Sequence, residues 1–537
     1  MSTAGYIPDP KLVMSMSDNP KDSPLLIAQM DYAREETAGD FYYRTVVPGV
    51  GMAYWDGVYV VNLVSMHRFR HRVMRDADIL VLNNICDADL LPVIRGRKDR
   101  GKLTVFEIAD DIEAPPEASP ASGFYQQSNN LLLLKRLAHY CDALQFGTPM
   151  LESKYGYLNS RTRVFPNQML VDPLEKPEKT EGKILVGWGG SISHYRDMAR
   201  VSSHLVRWIM SRGDVDLCLM CSDEIWGLFE NLPAGRKRRF PVGSINDYYR
   251  FVSHLDIGLA PMEDTPFNRS RSDIKALEYA AHGAVPVVQA VGQYLLCIEH
   301  GGTGFLFNTP DDLVSTLDFL ASDASVRSRV SASAREYVFR ERNAIQHGKN
   351  RIDFYCGLIA GAGGGGTPPV RGVADIFAEL SSCAGSIRTG RHLLLSRTRY
   401  ELLLESGELA SSLGDSANAW NRFLEAAELE PSQYMPYLLG ASVSGDPIET
   451  LKKALERNPH SLASYIQLGG ACLSNGMPRD ALAYFKAAAA IFPGYELPYI
   501  GCACCLREMG LESEATLLLR RAIDLIPKAI REARKGP

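Results

Sequence analysis

The feature that most restricts the fold of this chain is a 34-residue period near its C-terminus. Two alanines seven residues apart, with a proline five residues after them, occur three times: Ala419, Ala426 and Pro431; Ala481, Ala488 and Pro493; Ala515, Ala522 and Pro527. A shortened unit ends at Pro459. Such units are pairs of helices that bury their apolar faces by stacking on one another. We therefore expect an all-α, tetratricopeptide-like repeat domain over residues 395–537.

Short apolar runs alternate with helical patterns in the region before the repeats. In residues 22–170 the runs are SPLLIAQM (23–30), ADILVLNNI (77–85), KLTVFEIADD (102–111) and ALQFGT (143–148). In residues 171–358 they are KILVGW (183–188), VDLCLMC (215–221), RRFPVG (238–243), DIGLAPM (256–262) and VPVVQA (285–290). This alternation predicts parallel sheets with helices on both faces. We expect two doubly wound, Rossmann-like α/β domains with a binding cleft between their carboxyl edges.

The remaining segments and the composition set the context. Residues 1–21 have the composition of a disordered lead-in, and residues 359–394 contain a Gly/Pro linker, GAGGGGTPP, followed by a connecting helix. The net charge of −5 offers no general attraction for nucleic acid or anionic lipid. No apolar run is long enough to span a membrane, and the eleven cysteines form no disulfide framework. We expect a cytoplasmic protein.

The cysteine spacing argues against a metal site. Cys218 and Cys221 form a C-x-x-C pair, but they lie in a predicted strand, where residues three apart point to opposite faces. A second Cys or His pair at ligand spacing does not follow in the sequence. We expect no bound metal.

The segment FNRSRSDIKALEYAAHGAVPVV (267–288) concentrates charge at a predicted helix start. Ser272 is placed to cap this helix, and Arg271 adjoins its first turn. Lys275 and Glu278 share one stripe of the helix, beside the apolar stripe. Free backbone N–H groups and cations suit a diphosphate, and a carboxylate one turn later suits the hydroxyls of a ribose. The alternative is a Lys–Glu pair on a solvated helix face.

A glycine-rich turn lies in the same predicted domain. In KILVGWGGSISHYRDM (183–198), a strand is followed by Gly189, Gly190 and Ser191, and then by a helix. Glycines at this point let a ligand approach the backbone, and a helix start favours an anion. His194 follows the turn, and a structural role is the alternative to a ligand contact for this histidine.

Residues 171–358 resemble the donor-binding domain of GT-B glycosyltransferases, most closely family 4. The resemblance is carried by VGWGGSISHYRDM (186–198), LDIGLAPMEDTPFNRSRSDIKALEYAAHGAVPVV (255–288) and GGTGFLF (301–307). Residues 22–170 share FYYRTVVPG (41–49), VFEIADDI (105–112) and CDALQFGTPMLESKYG (141–156) with the partner domain of that family. The resemblance implies a glycosyltransferase that takes its sugar from a nucleotide-sugar, retains the anomeric configuration, and needs neither a metal nor a further cofactor.

The resemblance also implies roles for individual residues, carried over by position. Arg271 and Lys275 would face the diphosphate and stabilise the leaving phosphate. Glu278 would hold the ribose, and Gly189–Ser191 would lie near the phosphates or the sugar. The expected donor site is completed by neighbouring residues: His194, Asn268 and Ser272.

One position departs from the family pattern. Many family 4 members carry a second glutamate eight residues before the ribose glutamate, where this chain has Ser270. Sugar recognition is therefore expected to differ. A non-catalytic scaffold that carries the repeats is the rival interpretation, although Arg271, Lys275 and Glu278 are all present.

The acceptor side of the expected cleft contains Asp110 and Asp111, at the end of a predicted strand. Either these residues cap the following turn, or Asp110 acts in catalysis by contacting the acceptor hydroxyl. The repeats favour a protein acceptor, with an exopolysaccharide or lipid-linked glycan as the alternative. The sequence leaves the oligomeric state open.

Three basic clusters bear on other partners: RFRHR (68–72), RGRKDRGK (95–102) and GRKRR (235–239). We interpret them as solvated helix ends and loops, with peripheral membrane contact as the alternative. Because aromatic residues are not interleaved with these charges as base stacking requires, we expect no nucleic acid partner.

Overall fold

The computed structural model describes residues 24–32, 39–116, 122–170, 182–361 and 372–533. The predicted lead-in and most of the GAGGGGTPP stretch lie outside these ranges. The strands of the described residues are β1 Leu25–Asp31, β2 Val58–Val64, β3 Ile79–Asn83, β4 Leu103–Ile108, β5 Ala143–Phe146, β6 Thr162–Val164, β7 Ile184–Gly189, β8 Val215–Met220, β9 Lys237–Arg239, β10 Ile257–Ala260, β11 Val285–Gln289, β12 Phe305–Phe307, β13 Ser386–Thr389 and β14 His392–Leu395.

The helices of the α/β part are α1 Val47–Ala53, α2 Arg70–Asp76, α3 Leu90–Asp99, α4 Ser122–Gln126, α5 Ser128–Tyr140, α6 Pro149–Tyr155, α7 Tyr195–Ser211, α8 Asp223–Gly227, α9 Ile245–Ser253, α10 Pro266–Ser270, α11 Ile274–Ala281, α12 Tyr294–Cys297, α13 Pro310–Ser322, α14 Ala324–Glu341, α15 Ala344–Gly361 and α16 Val373–Ser381. A π-helical turn, Phe41–Val46, leads directly into α1. The C-terminal helices are α17 Arg399–Ser412, α18 Ser416–Leu429, α19 Met435–Gly440, α20 Pro447–Arg457, α21 Leu462–Ser474, α22 Pro478–Ile491, α23 Glu496–Glu508, α24 Glu512–Leu525 and α25 Lys528–Ala533.

The first sheet has eight strands in the order β13-β14-β2-β1-β3-β4-β5-β6. All neighbours are parallel except β13 and β14, which form a hairpin. The parallel sheet predicted from strand and helix alternation is confirmed, although the prediction omitted β2 and β6. The sequence of β2, VYVVNLV, is apolar except for Asn62, which is typical of a strand covered on both faces.

The second sheet has six parallel strands in the order β12-β11-β10-β7-β8-β9. Strand order reverses between β7 and β10, and the carboxyl ends at such a point are where ligands bind in doubly wound sheets. The prediction omitted β12 and extended β9 too far. In the structure β9 ends at Arg239, shortly before Pro241, which has no N–H to donate to a neighbouring strand.

The structure differs from the predicted domain boundaries in two places. Helix α15, assigned to the second domain by sequence, packs on α1 of the first, where a Cβ on Gly51 would lie 2.2 Å from the Ala344 carbonyl oxygen. The segment predicted as linker and connecting helix contains β13 and β14, and β14 extends the first sheet by pairing with β2. Both elements complete the first domain because they cover an otherwise open helix face and sheet edge.

The described C-terminal residues, 399–533, are helical, as predicted, and each of the helices from α17 to α24 packs on the next. The six alanines of the sequence pattern are at most 2% exposed, because each lies where two helices approach closely. Gly414, Gly476 and Gly510 have φ values of 80°, 70° and 77° in the turns between paired helices. These left-handed positions explain the glycines at those turns.

The repeats pack directly against the first domain, so they are not held to it by a linker alone. Asp89, at the start of α3, accepts hydrogen bonds from the Tyr434 hydroxyl at 2.7 Å and the Ala463 N–H at 2.9 Å. Arg136 of α5 is fully buried and forms a salt bridge with Glu496. Leu462, Ala488 and other repeat residues belong to the same apolar core as β1 and β3. The expectation that a linker separates the repeats from the α/β domains is therefore wrong.

Two findings concern membrane spanning and metal binding. No described helix is long and apolar enough to cross a membrane. Within the described ranges, no group of three or more His, Cys, Asp or Glu side chains is arranged to hold a metal ion. Cys218 and Cys221 are buried in different apolar clusters, as their spacing on β8 and just beyond it requires.

Candidate functional site

The two α/β domains meet at residues 267–288, the segment in which the sequence concentrates charge. The Thr148 hydroxyl of the first domain donates to the Ser270 carbonyl of the second at 2.9 Å. The Asn167 side chain donates to the Ser272 hydroxyl at 3.0 Å. Arg342 joins the same region by pairing with Asp273 and donating to the Asn167 carbonyl. The segment between α10 and α11 therefore forms part of the domain contact at the carboxyl edge of the second sheet.

The break between α10 and α11 sets the direction of Arg271. Helix α10 begins at Pro266 after a Thr265 cap and ends at Ser270, and Arg271 is extended, with φ −68° and ψ 156°. Helix α11 then begins at Ile274, and its N-cap residue, Asp273, makes no side-chain cap. The prediction that Ser272 caps this helix is wrong, because the Ser272 hydroxyl accepts from Asn167 instead. The first backbone N–H groups of α11 are thus not covered by a capping side chain.

Glu278 is buried, with 3% of its surface exposed, and both carboxylate oxygens accept tyrosine hydroxyls. Tyr43 of the first domain donates to Oε1 at 2.6 Å, and Tyr248 of α9 donates to Oε2 at 2.9 Å. The Lys275 ammonium lies 3.4 Å from Oε2 and donates to the Tyr248 hydroxyl at 2.8 Å. The alternative of a solvated Lys–Glu pair is wrong, because this stripe of α11 is enclosed by tyrosines.

Burial changes the charge balance around Glu278. Desolvation lowers the pKa of Lys275, against the raising effect of Glu278 and together with the lowering effect of Arg271. Desolvation and the Glu278 charge raise the pKa of Tyr43 and of Tyr248, so both remain neutral hydroxyl donors. The cluster therefore combines one carboxylate, neutral hydroxyl donors and a lysine whose pKa burial lowers.

The glycine turn follows β7 as predicted and closes on this cluster. A Cβ on Gly189 would lie 2.8 Å from the Tyr248 ring, and one on Gly190 would lie 2.6 Å from the Trp188 ring. Ser191 is exposed and its hydroxyl contacts that of Ser193 at 2.7 Å. The glycines are thus required for close packing of the turn against aromatic side chains, in addition to any ligand contact.

His194 holds Arg271 in place. Its Nδ1 lies 2.8 Å from Asp197 and its Nε2 lies 3.2 Å from the Arg271 guanidinium. Burial, and then the charge of Arg271, lower the pKa of His194 to about 4, so the ring is neutral at pH 7. The proton therefore lies on Nδ1, and Nε2 accepts from Arg271.

Asn268 also contacts Asp197, the partner of His194. Its amide donates to the Glu263 carbonyl at 2.9 Å and lies 3.4 Å from Asp197. Because Asp197 also accepts from the Glu263 N–H at 2.7 Å, it fixes the loop before α10. The structure thus gives Asn268 and His194 structural contacts, while a direct ligand contact stays a prediction.

The first domain contains two adjacent aspartates with different surroundings. Asp111 accepts from Lys154 at 2.7 and 2.9 Å and from the Glu113 N–H at 3.2 Å, so it caps the turn after β4. Asp110 is half-buried, and no hydrogen bond from a described residue reaches its carboxylate. Burial and the nearby Asp40 carboxylate raise the pKa of Asp110 to about 7, against the lowering effect of Arg271.

Sequence reasoning missed Asp40, Tyr43 and Tyr248. Tyr43 lies in FYYRTVVPG, a segment that resembles the partner domain of the family, but the resemblance implied no role for its tyrosines. Tyr248 lies in NDYYRF, on a helix that carried no motif. The only local signal was two tyrosine pairs, and the distance of 235 residues between Tyr43 and Glu278 hides their contact.

An open depression of about 670 Å³ lies at the carboxyl ends of β8 and β9, on the same edge as the glycine turn. It is lined by residues 221–224 and by Arg239, Pro241 and Val242. The sequence assigned it no role.

Three arginines of the first two basic clusters are engaged inside the molecule. Arg97 is fully buried and bonds to the Ala77 carbonyl at 2.9 Å, and Arg70 pairs with Asp87. Arg68 pairs with Glu430 of the repeats at 2.6 Å. The interpretation of these clusters as solvated loops is therefore wrong for these arginines, which hold the fold together.

No protein-family model matches the chain, and no curated protein matches it in sequence. Among solved structures, it is similar to Anabaena Alr3699/HepE in complex with UDP and glucose, at 13% identity over 61% of this chain and 98% of that one, with a TM-score of 0.45. A glycosyltransferase from Rickettsia africae matches 63% of this chain and 99% of its own at 12% identity, with a TM-score of 0.46. MamA matches 25% of this chain and 81% of its own at 20% identity, with a TM-score of 0.23.

Proposed function

We propose that this chain is a glycosyltransferase that takes a sugar from a nucleotide-sugar. The observation that carries the proposal is the buried Glu278 carboxylate, which accepts one hydroxyl on each oxygen and has Lys275 at 3.4 Å. A carboxylate prepared for two hydroxyl donors beside cations fits a ribose joined to a diphosphate. The open depression at β8 and β9 offers room for the base on the same sheet edge.

The diphosphate would be held by fixed positive groups. Arg271 is oriented by neutral His194, and the first N–H groups of α11 have no side-chain cap. An arriving diphosphate would offset the desolvation that lowers the pKa of Lys275, so we expect this lysine to be fully charged in the complex. Cations and helix ends can stabilise a leaving diphosphate as a metal does in other enzymes, so we propose a metal-independent reaction.

The reaction we propose retains the anomeric configuration. The acceptor oxygen forms a bond to the anomeric carbon on the face from which the diphosphate leaves, as the bond between that carbon and the phosphate oxygen breaks. The acceptor proton passes to the departing phosphate oxygen. This route needs no nucleophilic side chain, and Arg271 and Lys275 stabilise the negative charge that grows on the leaving group.

For the acceptor, we propose a protein that contacts the repeats. The repeats are packed on the first domain through Asp89 and Arg136, so their free surface has a fixed position relative to the cleft. Fixed docking raises the local concentration of an acceptor. A polysaccharide or lipid-linked glycan entering beside Asp110 is the alternative.

One observation favours a second candidate function, a non-catalytic scaffold. Ser270, where many family 4 members carry a glutamate, is only 1% exposed, and its hydroxyl donates to the Phe267 carbonyl at 2.7 Å. Its side chain is therefore turned into its own helix. A transferase with this arrangement recognises its sugar through other groups, whereas a scaffold needs no sugar contact.

The proposal is tested by measuring release of nucleoside diphosphate from a panel of UDP-, GDP- and ADP-sugars, with a chelator present. We expect release to continue in chelator. Lys275→Ala should lower kcat more than donor affinity, because the charge on the leaving group grows in the transition state. Lys528→Ala, which changes a lysine exposed on α25, is the matched control and should leave both unchanged.

Two results would contradict the proposal. Release that stops in chelator and returns with Mn²⁺ would contradict metal independence. If no sugar nucleotide is cleaved or bound, the chain is a scaffold.

A further inference from the structure

The hydroxyl groups around Glu278 form a chain whose direction is fixed by their protons. A tyrosine hydroxyl has one proton to donate. Tyr43 commits its proton to Glu278 Oε1, so in the contact of 2.9 Å between Tyr43 and Tyr249, Tyr249 is the donor. On the other side, Lys275 donates to Tyr248, which donates to Oε2. The described structure therefore satisfies the carboxylate from both sides.

This arrangement joins the two α/β domains. Tyr43 lies in the π-helical turn before α1, in the first domain, whereas Glu278 and Tyr248 belong to the second. Tyr43 is 4% exposed and Glu278 is 3% exposed, so the hydrogen bond between them is shielded from water. A hydrogen bond from a neutral donor to a buried carboxylate is stronger than one between neutral groups, so this contact favours closure of the domains.

The same groups obstruct the site proposed for the donor. A ribose offers two neighbouring hydroxyls to a carboxylate, but Tyr43 and Tyr248 lie on the two oxygens of Glu278 and leave it only 3% exposed, so a ribose cannot reach it past them. The Tyr248 ring also lies against the glycine turn, where a Cβ on Gly189 would come within 2.8 Å of it. Lys275 is held by Tyr248 and by the Glu278 carboxylate. Donor binding therefore requires these tyrosines to move.

We infer that Tyr43 and Tyr248 hold the carboxylate positions that ribose hydroxyls would take, and that donor binding displaces Tyr43 and so opens the contact between the domains. This inference rests on the proposed function. Tyr43 is then a positioning residue that makes the conformation of the acceptor-side domain depend on whether the donor site is filled. Displacement of Tyr248 frees Lys275 to face the diphosphate.

Replacing Tyr43 should strengthen nucleotide binding, whereas replacing a residue that binds the ligand weakens it. Tyr43→Phe removes the hydroxyl that competes with the ribose while keeping the ring. We expect the full-length variant to bind the tightest of UDP, GDP and ADP about tenfold more strongly than the wild type, as measured by calorimetric titration. Tyr59→Phe is the matched control, because Tyr59 packs its ring on Phe377 far from Glu278 and should leave affinity unchanged.

A second measurement needs no variant. Saturating the wild-type protein with the same nucleotide should increase amide hydrogen exchange in residues 41–53, because these residues lose the bond to Glu278. Unchanged exchange, or equal or weaker binding by Tyr43→Phe while the wild type binds, overturns this inference and leaves the proposed function intact. Absence of binding by the wild type and by Tyr43→Phe alike overturns the proposed function as well.

Discussion

The two α/β domains are built from the chain in different ways. The second domain takes all six of its strands from one continuous stretch, residues 184–307. The first takes strands β1–β6 from the N-terminal part and β13–β14 from residues 386–395, and it is covered by α15 and the repeats. The first domain therefore depends on residues 344–533, which follow the second domain in the chain, whereas the sheet of the second domain does not.

The largest expected effect comes from removing residues 362–537. This truncation deletes β13 and β14, exposes the edge of β2, and uncovers the apolar face on which Leu462 and Phe492 pack. We expect the remaining fragment to aggregate or to lose the folded first domain, as judged by solubility and circular dichroism. A fragment of residues 182–342 should remain soluble and folded. A stable, monomeric fragment of residues 1–361 would contradict the dependence described here.

A smaller effect is expected at the contact between the repeats and the first domain. Arg136→Ala leaves the buried Glu496 carboxylate without its salt-bridge partner, and breaking such a pair costs about 3–5 kcal/mol. The matched control is Arg399→Ala, whose pair with Glu425 is exposed and contributes less than about 1 kcal/mol. Thermal unfolding should show a much lower midpoint for Arg136→Ala only. Equal midpoints for both variants would show that this contact does not support the domain.

Within the first domain, replacing each of the two neighbouring aspartates by asparagine should have opposite effects on stability at pH 8. Because the folded pKa of Asp110 is raised to about 7, the folded state binds a proton more tightly than the unfolded state, and this group lowers stability as pH rises from about 4 to 7. Asp110→Asn stays uncharged, so it should raise the unfolding midpoint at pH 8 and change it little at pH 4.

Asp111→Asn provides the comparison. It should lower the midpoint at pH 8 by the equivalent of about 2–3 kcal/mol, because Asp111 accepts from Lys154 and Tyr155. The two variants are compared by thermal unfolding at pH 4 and pH 8. A destabilised Asp110→Asn variant at pH 8 would show that Asp110 is a structural carboxylate like its neighbour.

Local patterns accounted for most of the fold. Strand and helix alternation predicted nine of the strands, and the alanine and proline spacing predicted the stacked helices, since both depend on neighbours within a few turns. The hairpin at 386–395 could not be predicted in this way. Its strands have four residues each, and β14 finds its partner, β2, more than 300 residues earlier in the chain.

Part of the candidate site could likewise be predicted from local spacing, and part could not. The neighbouring positions of Lys275 and Glu278 follow from their spacing on one helix, so the sequence could place them together. Whether that stripe faced water or a buried cluster depended on Tyr43 and Tyr248, which come from elsewhere. Asp110 and Asp111 likewise follow the same strand, and their different surroundings depend on residues that are not their neighbours in the chain, such as Lys154 and Tyr155 beside Asp111.

Calorimetric titration with UDP, GDP and ADP tests the claim that the carboxyl edge of the second sheet binds a nucleoside diphosphate through Lys275 and Glu278. We predict saturable binding of at least one of them by the wild type. Glu278→Ala should weaken it by roughly ten- to a hundredfold, through loss of ribose hydrogen bonds of about 1–3 kcal/mol. Glu341→Ala, at the end of α14 outside the site, should bind as the wild type does. Binding that is absent from the wild type, or unchanged in Glu278→Ala, would contradict the claim.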